Sequence, residues 1–173
     1  MAGPQDRQFH GTLPVSWDRL HHDTRLLASQ LILDGRSFDG IIAVSRGGLM
    51  AAAVLARELE LRLVDTVCVG SYRGRVQGDL QVIKSVPGAG RGMLVIDDLA
   101  DTGATARLVR GMLPEAFLVA IYVKPSGRGN VDMFVTEVPQ DCWLLFPWDR
   151  APRNMPSLVM EFPEGQGRPA EAD

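Results

Sequence analysis

Residues 94–105 read Leu-Val-Ile-Asp-Asp-Leu-Ala-Asp-Thr-Gly-Ala-Thr. With Met93 before them, the first three residues form the uninterrupted apolar run that a strand buried on both faces requires. Beyond the stretch, apolar residues recur at helical spacing at Ala106, Val109, Met112 and Leu113. Pro114 ends that helix because proline cannot continue it. The stretch therefore predicts a buried strand, an acidic turn and an amphipathic helix.

The same order of elements recurs on both sides of this stretch. Ser16 is a candidate N-cap for a helix over residues 17–31, which Gly35 stops. A strand at residues 41–44 leads through Gly47-Gly48 into a helix at residues 49–59. Further strands are predicted at residues 63–69, 117–123 and 133–135, and a mobile loop is predicted over the glycines at positions 74, 78, 88, 90 and 92. The alternation predicts an α/β fold: a doubly wound, mainly parallel sheet with helices on both faces.

The acidic turn carries the candidate chemistry, because sheets of this kind bind ligands beyond the carboxyl ends of their strands. Asp97 and Asp98 at a strand end can hold ribose hydroxyls or a magnesium ion, which takes oxygen ligands. The start of the next helix offers N–H groups and hydroxyls to a phosphate, from Thr102, Gly103, Ala104 and Thr105. The alternative is an ordinary turn whose acids cap the helix, although capping needs one acid and this turn has three, with Asp101.

Residues 94–105 resemble the phosphoribosyl-pyrophosphate signature of the type I phosphoribosyltransferases. The segment Ser45-Arg46-Gly47-Gly48 agrees with that resemblance, because an arginine beside a flexible turn can grip pyrophosphate through paired hydrogen bonds. Taken alone, Arg-Gly-Gly is equally typical of a structural turn. The family binds pyrophosphate at this loop, and the resemblance implies a cis peptide bond near Ser45-Arg46.

Further matches resemble one branch of the family, the bacterial xanthine-guanine phosphoribosyltransferases. They lie at residues 40–49, 55–59, 64–68, 124–125, 138–141 and 147–149. Those enzymes salvage 6-oxopurines with magnesium and phosphoribosyl pyrophosphate, giving the nucleoside monophosphate and pyrophosphate, and they are tetramers. The resemblance implies the same reaction and cofactor here, and a small purine-binding hood added to the sheet domain.

The resemblance also implies individual roles. Ser45, Arg46 and Gly47 would contact pyrophosphate, while Asp97 and Asp98 would hold the ribose, with Asp98 also on magnesium. Asp101 would face the imidazole ring of the purine, where a carboxylate can accept a proton or orient the base. Both roles remain open. The implied catalytic set is Asp97, Asp98 and Asp101.

The base itself would meet a second group of residues. By resemblance, Lys124 donates to the 6-oxygen of the purine, which favours oxopurines over adenine. Trp143 and Leu144 would flank the base as an apolar clamp, with backbone groups reading its 2-position. The alternative for Lys124 is a solvated charge at a strand end. Trp143 and its neighbours could instead form core or subunit interface.

Two departures from the relatives bear on the choice of base. Gly78 stands where they carry a substrate-contacting arginine, for which Arg73 or Arg75 could substitute. Leu145-Phe146 replace residues that tend to be polar in the relatives. A changed loop alters affinity and rate more than the type of reaction, because such loops close over the site and exclude water.

Composition and length set the remaining expectations. A chain of 173 residues can form one well-packed domain, expected at residues 15–162, between an N-terminal extension at residues 1–14 and a tail at residues 163–173. Cys68 and Cys142 are isolated, which argues against a zinc or disulfide site. A net charge of −3 disfavours nucleic-acid binding. The apolar runs are too short to cross a bilayer, so we expect a cytoplasmic protein whose contact with the inner membrane face is at most peripheral.

Two alternative functions follow from the same features. One is a regulator of the same fold that senses phosphoribosyl pyrophosphate without catalysis, and the other is a phosphoribosyltransferase for a different base. The acidic composition and the purine-pocket matches argue against the regulator. A homotetramer is expected from the resemblance, and the apolar residues 143–148 are compatible with a buried interface.

Overall fold

The structure is a computed structural model, and it describes residues 11–71 and 80–149. The helices are α1 (Trp17–Leu33), α2 (Gly48–Glu58), α3 (Ala104–Met112) and α4 (Pro125–Arg128), with a short 3-10 turn at Pro147–Asp149. The strands are β1 (Gly11–Pro14), β2 (Gly40–Ser45), β3 (Val64–Ser71), β4 (Leu80–Lys84), β5 (Met93–Ala100), β6 (Phe117–Val123), β7 (Met133–Glu137) and β8 (Cys142–Leu145). In these ranges no helix is long and apolar enough to span a membrane.

Six of the strands form the central sheet, in the order β4-β3-β2-β5-β6-β7. All neighbours are parallel except β3 and β4, which are antiparallel. The chain runs outward from β2 to β3 on one side and from β5 to β7 on the other. The carboxyl ends of β2 and β5 therefore border the crevice at which a doubly wound sheet binds its ligands.

Alternate side chains of the sheet enter two separate cores. Ile41 and Ala43 pack with α1 and α2 in the larger core, whereas Ile42 and Val44 pack with α3 in the other. This is the expected result for a strand that points successive side chains to opposite faces. The predicted doubly wound α/β fold with helices on both faces is confirmed.

Helix boundaries follow the signals expected from the sequence. The hydroxyl oxygen of Ser16 accepts a hydrogen bond of 3.1 Å from the Arg19 N–H, so Ser16 is the N-cap of α1. Gly35 has a φ of 72° shortly after α1, a conformation in which glycine has no steric penalty. Pro114 lies just beyond α3.

Three strands, β1, β4 and β8, occupy places where the sequence predicted none. The prediction of a continuous loop is wrong for residues 80–84, because β4 pairs with β3 there and Lys84 Nζ donates to Asp65 Oδ1 at 2.6 Å. Strand β1 lies inside the expected N-terminal extension and pairs in parallel with β8. The rest of that extension, residues 1–10, and the expected tail at residues 163–173 lie outside the described residues.

The β1–β8 pair forms a small second sheet that brings the beginning and the end of the described chain together. Gly11 pairs with Cys142 and Pro14 with Leu145, and the Val15 N–H donates to the Leu145 carbonyl at 2.9 Å. Beside it, Phe146 packs against Tyr122 of β6 and stacks on Trp148 at a ring separation of 4.9 Å. These contacts attach the second sheet to the end of the main sheet that carries Lys124.

Candidate active site

The donor half of the site is defined here as Ser45, Arg46, Gly47, Asp97, Asp98 and residues 102–105. It lies where the ends of β2 and β5 meet. The Ser45-Arg46 peptide bond is cis, which confirms the prediction made for this loop. Gly47 lies so close to Asp98 that a Cβ on the glycine would collide with the carboxylate oxygens. The predicted pyrophosphate loop and the predicted ribose carboxylate are thus direct neighbours.

The acids belong to the strand itself, whereas the sequence placed them just after it. Strand β5 continues to Ala100, and Asp97 pairs in register with Ala120 of β6. Each carboxylate accepts a hydrogen bond of 2.9 Å from the N–H of the next residue, Asp97 from Asp98 and Asp98 from Leu99. These bonds do not cap α3, so the capping alternative does not describe Asp97 and Asp98.

Burial dominates the electrostatics of this acidic pair. The pKa of Asp97 is raised well above its usual value by removal from water and then by the neighbouring charge of Asp98. Burial also raises the pKa of Asp98, and the charge of Asp149 adds to the rise. A cation or donor hydroxyls bound beside these two carboxyl groups would stabilise their ionised forms.

The phosphate turn is shaped by Gly103 and its surroundings. Gly103 has a φ of 73°, and a Cβ there would collide with the side-chain amide of Asn130. Helix α3 begins at Ala104, whose N–H donates to the Thr102 hydroxyl at 3.3 Å. The first turn of a helix carries N–H groups without intrahelical acceptors, which suits a phosphate. The helix expected to open at residues 102–105 therefore begins at Ala104, two residues after Thr102.

The base half is defined here as Asp101, Lys124, Gln140 and Trp143. Asp101 follows β5 and Lys124 follows β6, so the two parallel neighbours bring them together. Lys124 Nζ lies 3.4 Å from Asp101 Oδ1, and the lysine side chain is only 2% exposed. The alternative of a solvated Lys124 is wrong, because an ammonium group is buried only where it has partners.

Strand β8 alternates its side chains, and this separates two residues that the sequence grouped. Trp143 is 42% exposed, whereas Leu144 is 5% exposed and belongs to the larger core. The pleat turns the Leu144 side chain inward, so its backbone groups are the part of this residue that is available for the predicted contact with the base. Phe146 is also buried in that core, so its apolar side chain does not mark a changed purine pocket.

Two functional candidates were missed at the sequence level. Gln140 Nε2 donates to Asp101 Oδ1 at 2.9 Å across a sequence separation of 39 residues. Asp149 lies near enough to Asp98 for its charge to raise the pKa of that carboxyl. Both positions fall within segments that resemble the family, 138–141 and 147–149, and that match was the available signal. Gly78, Arg73 and Arg75 lie outside the described residues.

No group of three or more His, Cys, Asp and Glu side chains in residues 11–71 and 80–149 could hold a metal ion by itself. Magnesium, however, commonly uses one or two carboxylates and takes its other ligands from water and substrate phosphates. The oxygens of Asp98 beside Gly47 fit that requirement.

Comparison with known proteins agrees with this geometry. A family model described as the phosphoribosyl transferase domain matches residues 16–152. The xanthine-guanine phosphoribosyltransferase of Chromohalobacter salexigens is 54% identical over 152 residues, covering 88% of this chain and 93% of that protein. The protein of the same name from Nitratidesulfovibrio vulgaris strain Hildenborough is 51% identical over 153 residues, with the same coverage of both chains.

Among solved structures, a purine phosphoribosyltransferase from Pyrococcus horikoshii superposes with a TM-score of 0.70 at 24% identity. The match covers 84% of this chain and 99% of that one, and it shows a shared fold. The domain match and the two relatives extend over both halves of the site. The chain therefore belongs to the phosphoribosyltransferase family.

Proposed function

We propose that this chain is a purine salvage enzyme. It transfers the 5-phosphoribosyl group of phosphoribosyl pyrophosphate to a 6-oxopurine, xanthine or guanine and also hypoxanthine, and releases the nucleoside monophosphate and pyrophosphate. The observation that carries the proposal is the buried Lys124 placed 3.4 Å from Asp101, which follows the strand that contains the acidic pair. Proteins 54% and 51% identical to it carry the name xanthine-guanine phosphoribosyltransferase.

On the donor side, the chain binds and neutralises the leaving group. The Arg46 side chain is exposed at the crevice, where its guanidinium can pair with the pyrophosphate oxygens. Thr102, Gly103, Ala104 and Thr105 bind the 5-phosphate at the start of α3, and Asp97 and Asp98 accept from the ribose hydroxyls. As the bond between C1 of the ribose and pyrophosphate breaks, positive charge develops on the ribose and these carboxylates stabilise it.

On the acceptor side, two groups set the identity and position of the base. The Lys124 ammonium donates to the 6-oxygen, an interaction that the amino group of adenine cannot accept. Asp101 faces the imidazole ring, where it accepts a proton from the base or orients it while a ring nitrogen bonds to C1 of the ribose. Trp143 offers the base an aromatic face, and the backbone of Leu144 lies beside it.

Magnesium is the proposed cofactor, with Asp98 as its protein ligand. When bound, the ion supplies positive charge that neutralises the pyrophosphate oxygens. The two acids have pKa values raised by burial, so a cation next to them would lower those values and favour their ionised forms. Removal of magnesium by EDTA should therefore abolish turnover, and added magnesium should restore it.

The test is a substrate panel with purified protein, phosphoribosyl pyrophosphate and magnesium. Xanthine, guanine, hypoxanthine and adenine are supplied one at a time, and nucleotide formation is followed by absorbance or chromatography. We expect turnover of at least one 6-oxopurine and none of adenine. Turnover of no oxopurine would contradict the proposal, and phosphoribosyl pyrophosphate binding without turnover would indicate the non-catalytic regulator instead.

We also propose that the enzyme is a cytoplasmic homotetramer. Exposed aromatic and aliphatic side chains support subunit contacts, among them Trp17 at 54%, Leu33 at 87% and Trp148 at 37% exposure. Light scattering of the purified protein measures the oligomeric state. A mass other than that of four chains would contradict this part of the proposal.

A further inference from the structure

Gln140 links the two elements that carry the base-reading residues. Its Nε2 donates to Asp101 Oδ1 at 2.9 Å, and its Oε1 accepts from the Ser126 N–H at 2.9 Å. A backbone N–H can only donate, so the amide oxygen must face Ser126 and the amide nitrogen must face Asp101. The orientation of this side chain is therefore fixed by its partners.

The backbone around Gln140 is anchored to the same end of the sheet. The Val138 N–H donates to the Val123 carbonyl at 2.9 Å, immediately before Lys124. Gln140 itself is half-buried. The short segment between β7 and β8 thus holds the Gln140 amide in a fixed position at the ends of β5 and β6.

The charged pair beside this amide is not closed to hydrogen-bond distance. Several other ion pairs of the chain close to 2.6 Å, for example Lys84 with Asp65 and Arg110 with Asp132, whereas the more exposed Arg25 stays 3.5 Å from Glu58. Lys124 and Asp101 stay 3.4 Å apart although Lys124 is buried, where attraction between charges is stronger. The oxygen of Asp101 that faces Lys124 is the same one that accepts from Gln140.

We infer that Gln140 is a positioning residue that holds Asp101 at a distance from Lys124, so that the two act as separate contacts to the purine. Without the amide, the carboxylate moves toward the ammonium and the two groups form a closed ion pair. That pair competes with the 6-oxygen for Lys124 and turns Asp101 away from the imidazole ring. The inference rests on the proposed function, because it gives Asp101 and Lys124 their roles toward the base.

The experiment compares Gln140→Leu and Gln140→Glu with the parent enzyme in steady-state assays on guanine and xanthine. Gln140→Leu removes the hydrogen bonds to both Asp101 and Ser126, whereas Gln140→Glu keeps the shape and the acceptor for Ser126 but replaces the donor with a negative charge. We expect kcat/KM for the base to fall about 10- to 100-fold in Gln140→Leu, the loss typical of a hydrogen bond to a charged group. In Gln140→Glu, kcat/KM for the base should fall further, because the new carboxylate then faces the carboxylate of Asp101.

Kinetics measured separately for the base and for phosphoribosyl pyrophosphate distinguish a positioning role from a general disruption of the site. The KM for phosphoribosyl pyrophosphate should stay within about twofold, because the donor half does not contact Gln140. Gln30→Leu and Gln30→Glu are matched controls, since Gln30 is exposed on α1, and both should behave like the parent. Thermal unfolding establishes whether each variant is folded. If Gln140→Leu does not fold, the isosteric variant Gln140→Glu tests the inference instead.

An unchanged KM and kcat for the base in either folded Gln140 variant would overturn the inference, as would equal losses for both substrates. These outcomes are distinct from a failure of the proposed function, in which the parent enzyme itself turns over no oxopurine and the inference fails with it.

Discussion

The two halves of the site are built on different parts of the fold. The donor half lies on β2 and β5, two central strands whose side chains are buried on both faces. The base half draws its residues from the ends of β5 and β6, a connecting segment and the two-stranded β1–β8 sheet. The donor half thus consists of two segments, each at the end of a buried central strand, and we expect it to be rigid, while the base half is assembled from single residues of several elements. We accordingly expect substitutions in the donor half to reduce activity by disturbing close packing. Substitutions in the base half should reduce it by removing single side-chain contacts.

The largest effect is expected at the contact between the two central strands. Gly47→Ala keeps an accessible φ of −56°, yet its Cβ would collide with the Asp98 carboxylate. The pyrophosphate loop or the acid must move, and a displacement of about 1 Å can reduce turnover about 100-fold. We expect kcat/KM for phosphoribosyl pyrophosphate to fall by at least about 100-fold in steady-state assays.

Gly129→Ala is the matched control for that substitution. Gly129 has a φ of −71°, and a Cβ there meets no atom within 4 Å. Its kinetics should match those of the parent. Full activity of Gly47→Ala would show that Asp98 can move without cost, and the proposed rigidity of the donor half would be wrong.

A smaller effect is expected from neighbouring residues of β8, whose side chains point in opposite directions. Trp143→Ala should raise the KM for the base about tenfold, because stacking of an aromatic side chain on a base contributes about 1–3 kcal/mol. Leu144→Ala should destabilise the chain by about 2–5 kcal/mol, the usual range for a buried leucine. Base kinetics and thermal unfolding of both variants measure this contrast. A larger change of base KM in Leu144→Ala than in Trp143→Ala would reverse the assignment.

The smallest effect concerns the acidic pair in the absence of ligands. Burial raises the native pKa of Asp97 above its usual value of about 3.9, so the native state holds a proton that the unfolded chain releases between these two values. Stability of the metal-free protein therefore decreases as pH rises through that window. Asp97→Asn removes this penalty, and we expect its melting temperature at neutral pH to exceed that of the parent by a few degrees, while turnover falls.

The comparison is made by thermal unfolding in EDTA over a series of pH values. The advantage of Asp97→Asn should disappear in acid, where Asp97 of the parent is protonated as well. A lower melting temperature than the parent at neutral pH would mean that the charge of Asp97 stabilises the native state, contrary to the raised pKa.

The donor half could be predicted from the sequence because each of its elements is local. Apolar residues 93–96 predicted β5, Asp97 and Asp98 follow them directly, and residues 102–105 come three residues further along the chain. Ser45-Arg46-Gly47 likewise follows its own strand. In a parallel sheet the carboxyl ends of all strands lie at one edge, so the pattern of strands placed both segments at that edge. The structure adds that β2 and β5 are direct neighbours.

Much of the base half could not be predicted in the same way. Leu144 was assigned to the base by resemblance to the relatives, but no pattern in the sequence showed that β8 pairs with β1 and turns the Leu144 side chain inward. The bond from Gln140 to Asp101 depends on how a loop packs, which periodicity does not encode. Strand β4 was not predicted because the glycines on both sides of it are typical of a loop.

The β1–β8 pairing also bears on the order in which the molecule forms. Its partners lie more than 120 residues apart in the chain, whereas β5 and β6 are joined by α3 alone. Pairings of high sequence separation form late because the intervening chain must be ordered first. During folding, the donor half should therefore be in place before the base half, and β8 should be the last strand to gain protection from hydrogen exchange.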